Sequence, residues 1–241
     1  MNTTIQAARS AFPAGLEQPK TGFRFGIDSL LLACFAPCRF GDRVLDLGTG
    51  CGVVGLGLCL AQEEKKPQVL GVEMQEEPLR AARKNAERLG LEDRYAACLG
   101  DVRHYRDIVD VQAGGFDLVV CNPPYRPKHQ GRQPQDPGRR QACFEHSAGV
   151  QDFLQAASYA LANKGRLSLV YLAERLPFLL HQFQTYRLQV KEMRLVHSTA
   201  AAQAKLVLIT VRKNVRPGLA VHAPLFLDQD EDMAAFCPFL V

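Results

Sequence analysis

Residues Asn122, Pro123, Pro124 and Tyr125 follow an apolar run, FDLVVC, that ends at Cys121. Each proline fixes its own φ and pushes the residue before it out of helical geometry, so the tetrapeptide is stiff. It lacks two backbone N–H donors and keeps every carbonyl, which weights it toward hydrogen-bond acceptance. The Asn122 side-chain oxygen and the Pro123 carbonyl can together accept from one planar NH2 group. Such a nitrogen, an exocyclic base amine or an amide, is a poor nucleophile because its lone pair is delocalised. Two acceptors aligned on its hydrogens would localise the pair toward an electrophile, which is catalysis by orientation and preorganised electrostatics. Tyr125 adds a flat surface on which a planar substrate can stack.

A second group of residues supplies a ligand site. In VLDLGTGCGVVGLGL an apolar strand pattern runs through glycines into an apolar helix pattern. Gly50, Gly52 and Gly55 spell G-x-G-x-x-G, and Glu73 follows about 20 residues on, as in a dinucleotide site. Glycines let backbone approach a ligand closely, the helix start offers N–H groups, and a carboxylate can hold ribose hydroxyls. Asp46, two residues ahead of Gly48, tips the choice. A carboxylate there is awkward beside a pyrophosphate and suits a ligand carrying an ammonium and a sulfonium. A blander reading makes Asp46 a loop cap and leaves Glu73 and Asp101 as solvated turn residues.

The DLGTG stretch resembles the E/D-x-G-x-G loop of class I S-adenosylmethionine-dependent methyltransferases at Asp46, Gly48 and Gly50. That resemblance implies S-adenosylmethionine as cofactor, with Glu73 on the ribose diol, Asp101 facing the adenine amine and Val102 beside the ring. Asn-Pro-Pro-Tyr resembles the signature of amino-group methyltransferases acting on adenine N6 or protein glutamine, with a Phe variant on guanine N2. More narrowly, GIDSLLLACF, LDLGTGCGVVGL, VGVEMQEE, FDLVVCNPPY, GRLSLVYLAERL and AKLVLITVRKN resemble bacterial tRNA (adenine-N6)-methyltransferases that modify a valine tRNA beside its anticodon. The likeness spans residues 20 to 228 and implies N6-methylation of an adenine in a tRNA anticodon loop. Where basic residues would be expected in relatives, HSTAAAQAKL carries alanines.

Charge bears on the substrate. Beyond Tyr125, Arg126, Lys128, Arg132, Arg139 and Arg140 face only Asp136 within one loop, an arrangement suited to holding phosphates. His146, with Glu145, follows that loop and is a candidate for the substrate pocket and for accepting the released proton. Lys205, Arg212, Lys213 and Arg216 form a second basic set expected to extend the same surface. Three rivals to the RNA reading are a protein glutamine N5-methyltransferase, a non-catalytic RNA-binding module on the same fold, and an NAD oxidoreductase admitted by the glycine spacing. Rivals acting on release factors carry a helical N-terminal domain, whereas only about 40 residues precede the glycine loop here.

These residues need a scaffold. RVLDLG, QVLGVE, DRYAACLGD, FDLVVCN and GRLSLVYL are short apolar runs separated by helical patterning, notably EEPLRAARKNAERLG and VQDFLQAASYALANKG. Strand and helix alternate, which indicates an α/β, doubly wound, mostly parallel sheet, here expected as seven-stranded and Rossmann-like. LQVKEMRLVHS and AKLVLITVRKN lie too close together for a helical crossover and should pair antiparallel. GIDSLLLACFAP reads as a short buried helix with Asp28 or Ser29 as its cap. Residues 126–142 and 197–205 read as mobile loops. The chain is expected to form one domain across 1–241, with an N-terminal extension and helix at 1–40, a catalytic core at 41–228 and a tail at 229–241.

With 47% hydrophobic and 22% charged residues over 241 positions, the composition is that of a soluble globular protein. A net charge of +4 does not announce nucleic acid by itself. Eight cysteines stand singly, without C-x-x-C spacing, and are expected as buried reduced thiols with no metal. With no long apolar run and no signal-like start, the chain is read as cytoplasmic, with no membrane partner.

Overall fold

The computed structural model describes residues 3–19, 24–125 and 148–240. Its centre is β1 (Arg43–Leu47), flanked by β2 (Gln68–Glu73) and then β3 (Tyr95–Leu99) on one side. On the other side lie β4 (Phe116–Cys121) and β5 (Leu161–Leu172), all five parallel. β7 (Ala204–Lys213) runs antiparallel to both β5 and β6 (Leu188–His197), giving the order β3-β2-β1-β4-β5-β7-β6. Among the described residues the sheet has nine strands rather than seven. Two-residue strands β8 (Ala220–Val221) and β9 (Leu225–Phe226) pair parallel along the outer edge of β6 and cover part of it. Two residues are too few to show a period in sequence.

Alternation along the parallel strands divides the core between the two faces of the sheet. Val44, Leu118 and Val120 pack on one face, while Leu45, Leu47, Val119 and Cys121 pack on the other. The first face is covered by α2 (Ile27–Phe35), α3 (Val53–Ala61) and α4 (Glu76–Arg88), the second by α5 (Val150–Ala160) and α6 (Leu176–Thr185). α1 (Thr3–Ser10) docks through Arg9, whose guanidinium donates to the carbonyls of Leu89 and Gly90.

α2 begins two residues earlier than a cap at Asp28 would place it, and three earlier than one at Ser29. Gly26 is its N-cap, so Asp28 and Ser29 lie inside the first turn and are buried. The segment expected as a tail holds α7 (Asp230–Phe236), with Met233 and Cys237 buried and the Phe239 ring 4.8 Å from that of Phe12. Of residues 197–205, expected as a mobile loop, His197 and Ala204–Lys205 belong to β6 and β7, and 198–203 form a short turn closed by Ala202 N–H to the Thr199 carbonyl and by His197 Nδ1 against the Ala202 carbonyl.

Strand order reverses between β1 and β4, so a crevice opens beyond their carboxyl ends. β7 runs the opposite way, which places Lys205 at that same edge and carries Arg212 and Lys213 to the far one. There Arg212 donates to the Lys164 carbonyl, and Lys213 Nζ donates to the carbonyls of Ser158 and Leu161. The expectation that Arg212 and Lys213 extend the substrate surface is therefore corrected: strand direction sends them to the junction of α5 and β5.

Candidate active site

The glycine loop leaves β1 at Leu47 and enters α3 at Val53. Gly48, Gly50 and Gly52 have φ of 69°, 58° and 87°, a region that residues with a Cβ rarely adopt. Gly48 and Thr49 both donate their N–H to the Val72 carbonyl, at 2.9 and 3.0 Å, which fastens the loop to β2. Asp46 organises it from beneath. Its Oδ2 accepts from Thr49 Oγ1 at 2.6 Å and from Gly55 N–H at 3.0 Å. Thr49 Oγ1 also lies 2.8 Å from Tyr95 Oη. Burial pushes the Asp46 carboxyl up to about 6, against the lowering effect of its two donors, and the nearby charge of Glu73 adds to the rise.

Glu73 ends β2 facing the same loop. Its Oε2 accepts from Gly50 N–H at 3.0 Å and its Oε1 from Gln75 N–H at 2.9 Å. Each oxygen has a second lone pair left, so the carboxylate can still accept from two neighbouring hydroxyls. Burial raises its carboxyl above the ordinary glutamate value. Asp101 stands apart. It lies past the end of β3, caps the turn Val102–Asp107 by accepting from Arg103 N–H, and takes the Arg103 guanidinium on both oxygens. That pairing holds its carboxyl below the usual aspartate range. Gly100 and Val102 line the crevice, and Asp101 does not.

Asn122 to Tyr125 continue β4 and are held from behind by α2. Asn122 Nδ2 donates to Ser29 Oγ at 3.0 Å, and Tyr125 Oη donates to Asp28 Oδ2 at 2.6 Å. The Tyr125 ring meets the edge of Tyr171 from β5, centroids 5.6 Å apart at 77°. Burial and the Asp28 carboxylate push the Tyr125 hydroxyl well above its usual value, so it acts as a neutral phenol. Asp28 and Ser29, expected from the sequence as a helix cap, instead touch Tyr125 and Asn122. The available signal was two adjacent polar residues ahead of LLLACF that the fold must bury.

Asp46, Gly48, Gly50, Glu73, Val102, Asn122, Pro123, Pro124 and Tyr125 together line one cavity of about 490 Å³. Val54, Val72, Pro78 and Phe153 give it apolar walls. Gly50 leaves room there: a Cβ at this position would meet no protein atom within 4 Å. Arg126, Lys128, Arg132, Arg139, Arg140 and His146 lie outside the described residues.

The family model for a methyltransferase domain matches residues 40–216. The chain belongs to this family. Methyltransferases named tRNA1(Val) (adenine(37)-N6)-methyltransferase are similar to it in several bacteria. The Trichodesmium erythraeum protein is 28% identical over 70% of this chain and 67% of its own length. That of a Shewanella strain is 29% identical over 62% and 61%, and that of Porphyromonas gingivalis 30% over 80% and 76%. The chain thus spans from about three fifths to three quarters of the curated methyltransferases it matches. In fold it is similar to a predicted O-methyltransferase from Agrobacterium tumefaciens, with TM-score 0.66, 23% identity and coverage of 83% and 88%. It is also similar to TrmN from Thermus thermophilus, with TM-score 0.57, 21% identity and coverage of 86% of this chain and 52% of that one.

The cofactor of this methyltransferase fold is S-adenosylmethionine, and the cavity suits it. Glu73 retains acceptor capacity for a ribose diol, apolar side chains line the walls for a base, and the space over Gly50 is open. No helix among the described residues is long and apolar enough to cross a membrane.

Proposed function

We propose that this chain methylates the exocyclic N6 of an adenine in a tRNA, in the anticodon loop. The observation that carries the proposal is that Asn122, Pro123, Pro124 and Tyr125 share one cavity with Gly50 and Glu73, at the adjoining carboxyl ends of β4 and β1. S-adenosylmethionine supplies an electrophilic methyl on a positively charged sulfur. Glu73 holds the ribose hydroxyls, Val102 packs beside the adenine of the cofactor, and the Gly48 to Gly50 backbone allows close approach. Asp46 supports that loop and sets a negative charge beneath a cationic ligand. Asp101, already paired with Arg103, contributes to the adenine end through the turn that carries Val102.

On the substrate side, Asn122 Oδ1 and the Pro123 carbonyl accept the two amino hydrogens, and Tyr125 stacks on the base. The nitrogen lone pair forms the new N–C bond as the C–S electrons return to sulfur. The proton leaves afterwards, when the alkylated nitrogen is strongly acidic, and no titrating base is needed before attack. An adenine in a single-stranded loop is cheaper to unstack into such a pocket than one in a duplex. Arg126, Lys128, Arg132, Arg139, Arg140 and His146 are the proposed RNA contacts by sequence, and the names of the curated relatives support tRNA as the substrate.

The test is incubation with methyl-labelled donor and total tRNA, followed by digestion to nucleosides. Label in N6-methyladenosine is expected. Label in another nucleoside, or only in a glutamine of an added release factor, overturns the proposal.

A further inference from the structure

Asn85 is a polar side chain with no solvent exposure, set in the buried face of α4 among Leu79, Ala81, Ala82 and Ala86. Asparagine is a poor helix former, and an amide buried there costs free energy unless its oxygen and both hydrogens find partners. All three do. Oδ1 accepts from the Glu17 N–H at 2.8 Å, while Nδ2 donates to the Glu17 carbonyl and to the Cys51 carbonyl, each at 2.9 Å. A flipped amide would set NH2 against the Glu17 N–H and its oxygen against two carbonyls, so the partners fix its orientation.

These partners belong to two separate stretches of chain, and both stretches reach the cavity. Cys51 is part of the glycine loop and lines the cavity. Glu17 belongs to a segment laid along α4 from the helix's carboxyl end. Arg9 donates to the Leu89 and Gly90 carbonyls, the Arg88 guanidinium donates to the Gly15 carbonyl at 2.7 Å, and Glu17 then meets Asn85. Two residues further on, buried Pro19 is another wall of the same cavity. The Lys84–Glu17 ion pair beside this junction is exposed at both ends and adds little hold. Packing alone does not call for an amide here, since alanine at position 85 would continue the apolar face of α4.

We propose that Asn85 is a positioning residue for S-adenosylmethionine: it locks the N-terminal segment to the glycine loop, so that Pro19 and Cys51 meet the donor in one fixed relation. Linkage makes the effect reciprocal, because whatever docking of the segment adds to donor affinity, the donor adds to docking of the segment. The inference concerns the donor side of the cavity and does not depend on which nitrogen receives the methyl group.

Calorimetry with S-adenosylmethionine compares wild type with Asn85→Ala and reads the dissociation constant separately from the stoichiometry. The dissociation constant is expected to rise about tenfold or more. An unchanged dissociation constant overturns the proposal. A merely structural asparagine would give that result: the folded fraction, and hence the stoichiometry, would fall while the molecules that fold bind as wild type does. A measurement on the wild-type chain keeps the test decisive should the variant fail to fold. Amide hydrogen exchange at Glu17, whose N–H is held by Asn85, should slow by about tenfold when the donor saturates the protein. Exchange at Ala11, whose N–H is held by the Ala7 carbonyl, should not. Equal slowing at both positions would mean that the donor only stabilises the fold as a whole, and no slowing at Glu17 would mean that donor and segment are uncoupled; either overturns the proposal. Failure of the tRNA reading is seen separately, as N6-methyladenosine left unlabelled while both of these results stand.

Discussion

Gly50 donates its backbone N–H to Glu73 Oε2 at 3.0 Å, so the residue assigned to the ribose also ties down the loop that must approach the cofactor. The other oxygen is engaged by Gln75 N–H at 2.9 Å, which fixes the plane of the carboxylate. In Glu73→Gln one oxygen becomes an NH2 group that faces a backbone donor. Hydrogen bonds to charged groups are worth about 1.5–3 kcal/mol. S-adenosylmethionine affinity should therefore fall by roughly 10- to 100-fold in calorimetry. Thermal stability should change far less, since the buried site disfavours the charge that is removed.

Gly71 matters for space and not for φ. A Cβ there would lie 2.6 Å from Tyr95 Oη and 2.9 Å from Thr49 Oγ1, both in the buried network that holds Asp46. Overpacking of this kind costs about 1–3 kcal/mol, and each kcal/mol lowers Tm by about 2–4 °C in a chain of this size. Gly71→Ala should melt several degrees lower and bind the donor more weakly, because displacing Thr49 releases Asp46. An unchanged melting curve with full donor affinity would contradict this account.

The scaffold was legible where burial imposes a period. Apolar runs such as RVLDL and FDLVVC are sheltered by helices on both sides, so their composition alone reports buried parallel strands. The glycine loop and Asn122 to Tyr125 were legible because their chemistry depends on backbone geometry, which glycine and proline announce. Asp28 and Ser29 were not, because a polar pair before an apolar run reads equally as a cap. Only the approach of β4 to α2, 93 residues apart for Ser29 and Asn122, gives the pair its second meaning. Arg212 and Lys213 were misread for a related reason: composition records charge, and only strand direction says at which edge it emerges. Asp101 was read as a site residue because it closes CLGD, and nothing in that pattern reveals the claim made on it by Arg103 two residues later.

Asp46 gives donor binding a pH dependence of definite sign. Its carboxyl is raised from 3.8 to about 6, mainly by burial, so the folded state disfavours its charge. Its contribution to stability is fully present below 3.8 and is lost as pH rises through about 6. A bound sulfonium and ammonium reverse that preference, because they favour the ionised form. Affinity for S-adenosylmethionine should thus rise by about tenfold between pH 5 and pH 7, with proton release on binding in the lower half of that range. Asp46→Asn should flatten the profile. Calorimetry in two buffers of different ionisation enthalpy measures both quantities, and a flat wild-type profile would remove Asp46 from donor recognition.

Strand direction makes the last prediction a contrast between two cations on one strand. Lys205 is exposed at the start of β7, where Leu206 pairs with Leu172 and β5 has just delivered Tyr171 against Tyr125. Arg212 lies at the other end of β7, opposite Arg166, with its guanidinium on the Lys164 carbonyl. An RNA strand entering the cavity can reach the first and not the second. Lys205→Ala should weaken tRNA binding and reduce the slope of log K against log salt by about 1, as loss of one phosphate contact does. Arg212→Ala should leave both affinity and slope unchanged. Fluorescence anisotropy with labelled tRNA from 50 to 200 mM salt, roughly the range over which phosphate contacts dominate, distinguishes the two, and equal effects would mean that RNA wraps to the far edge of the sheet.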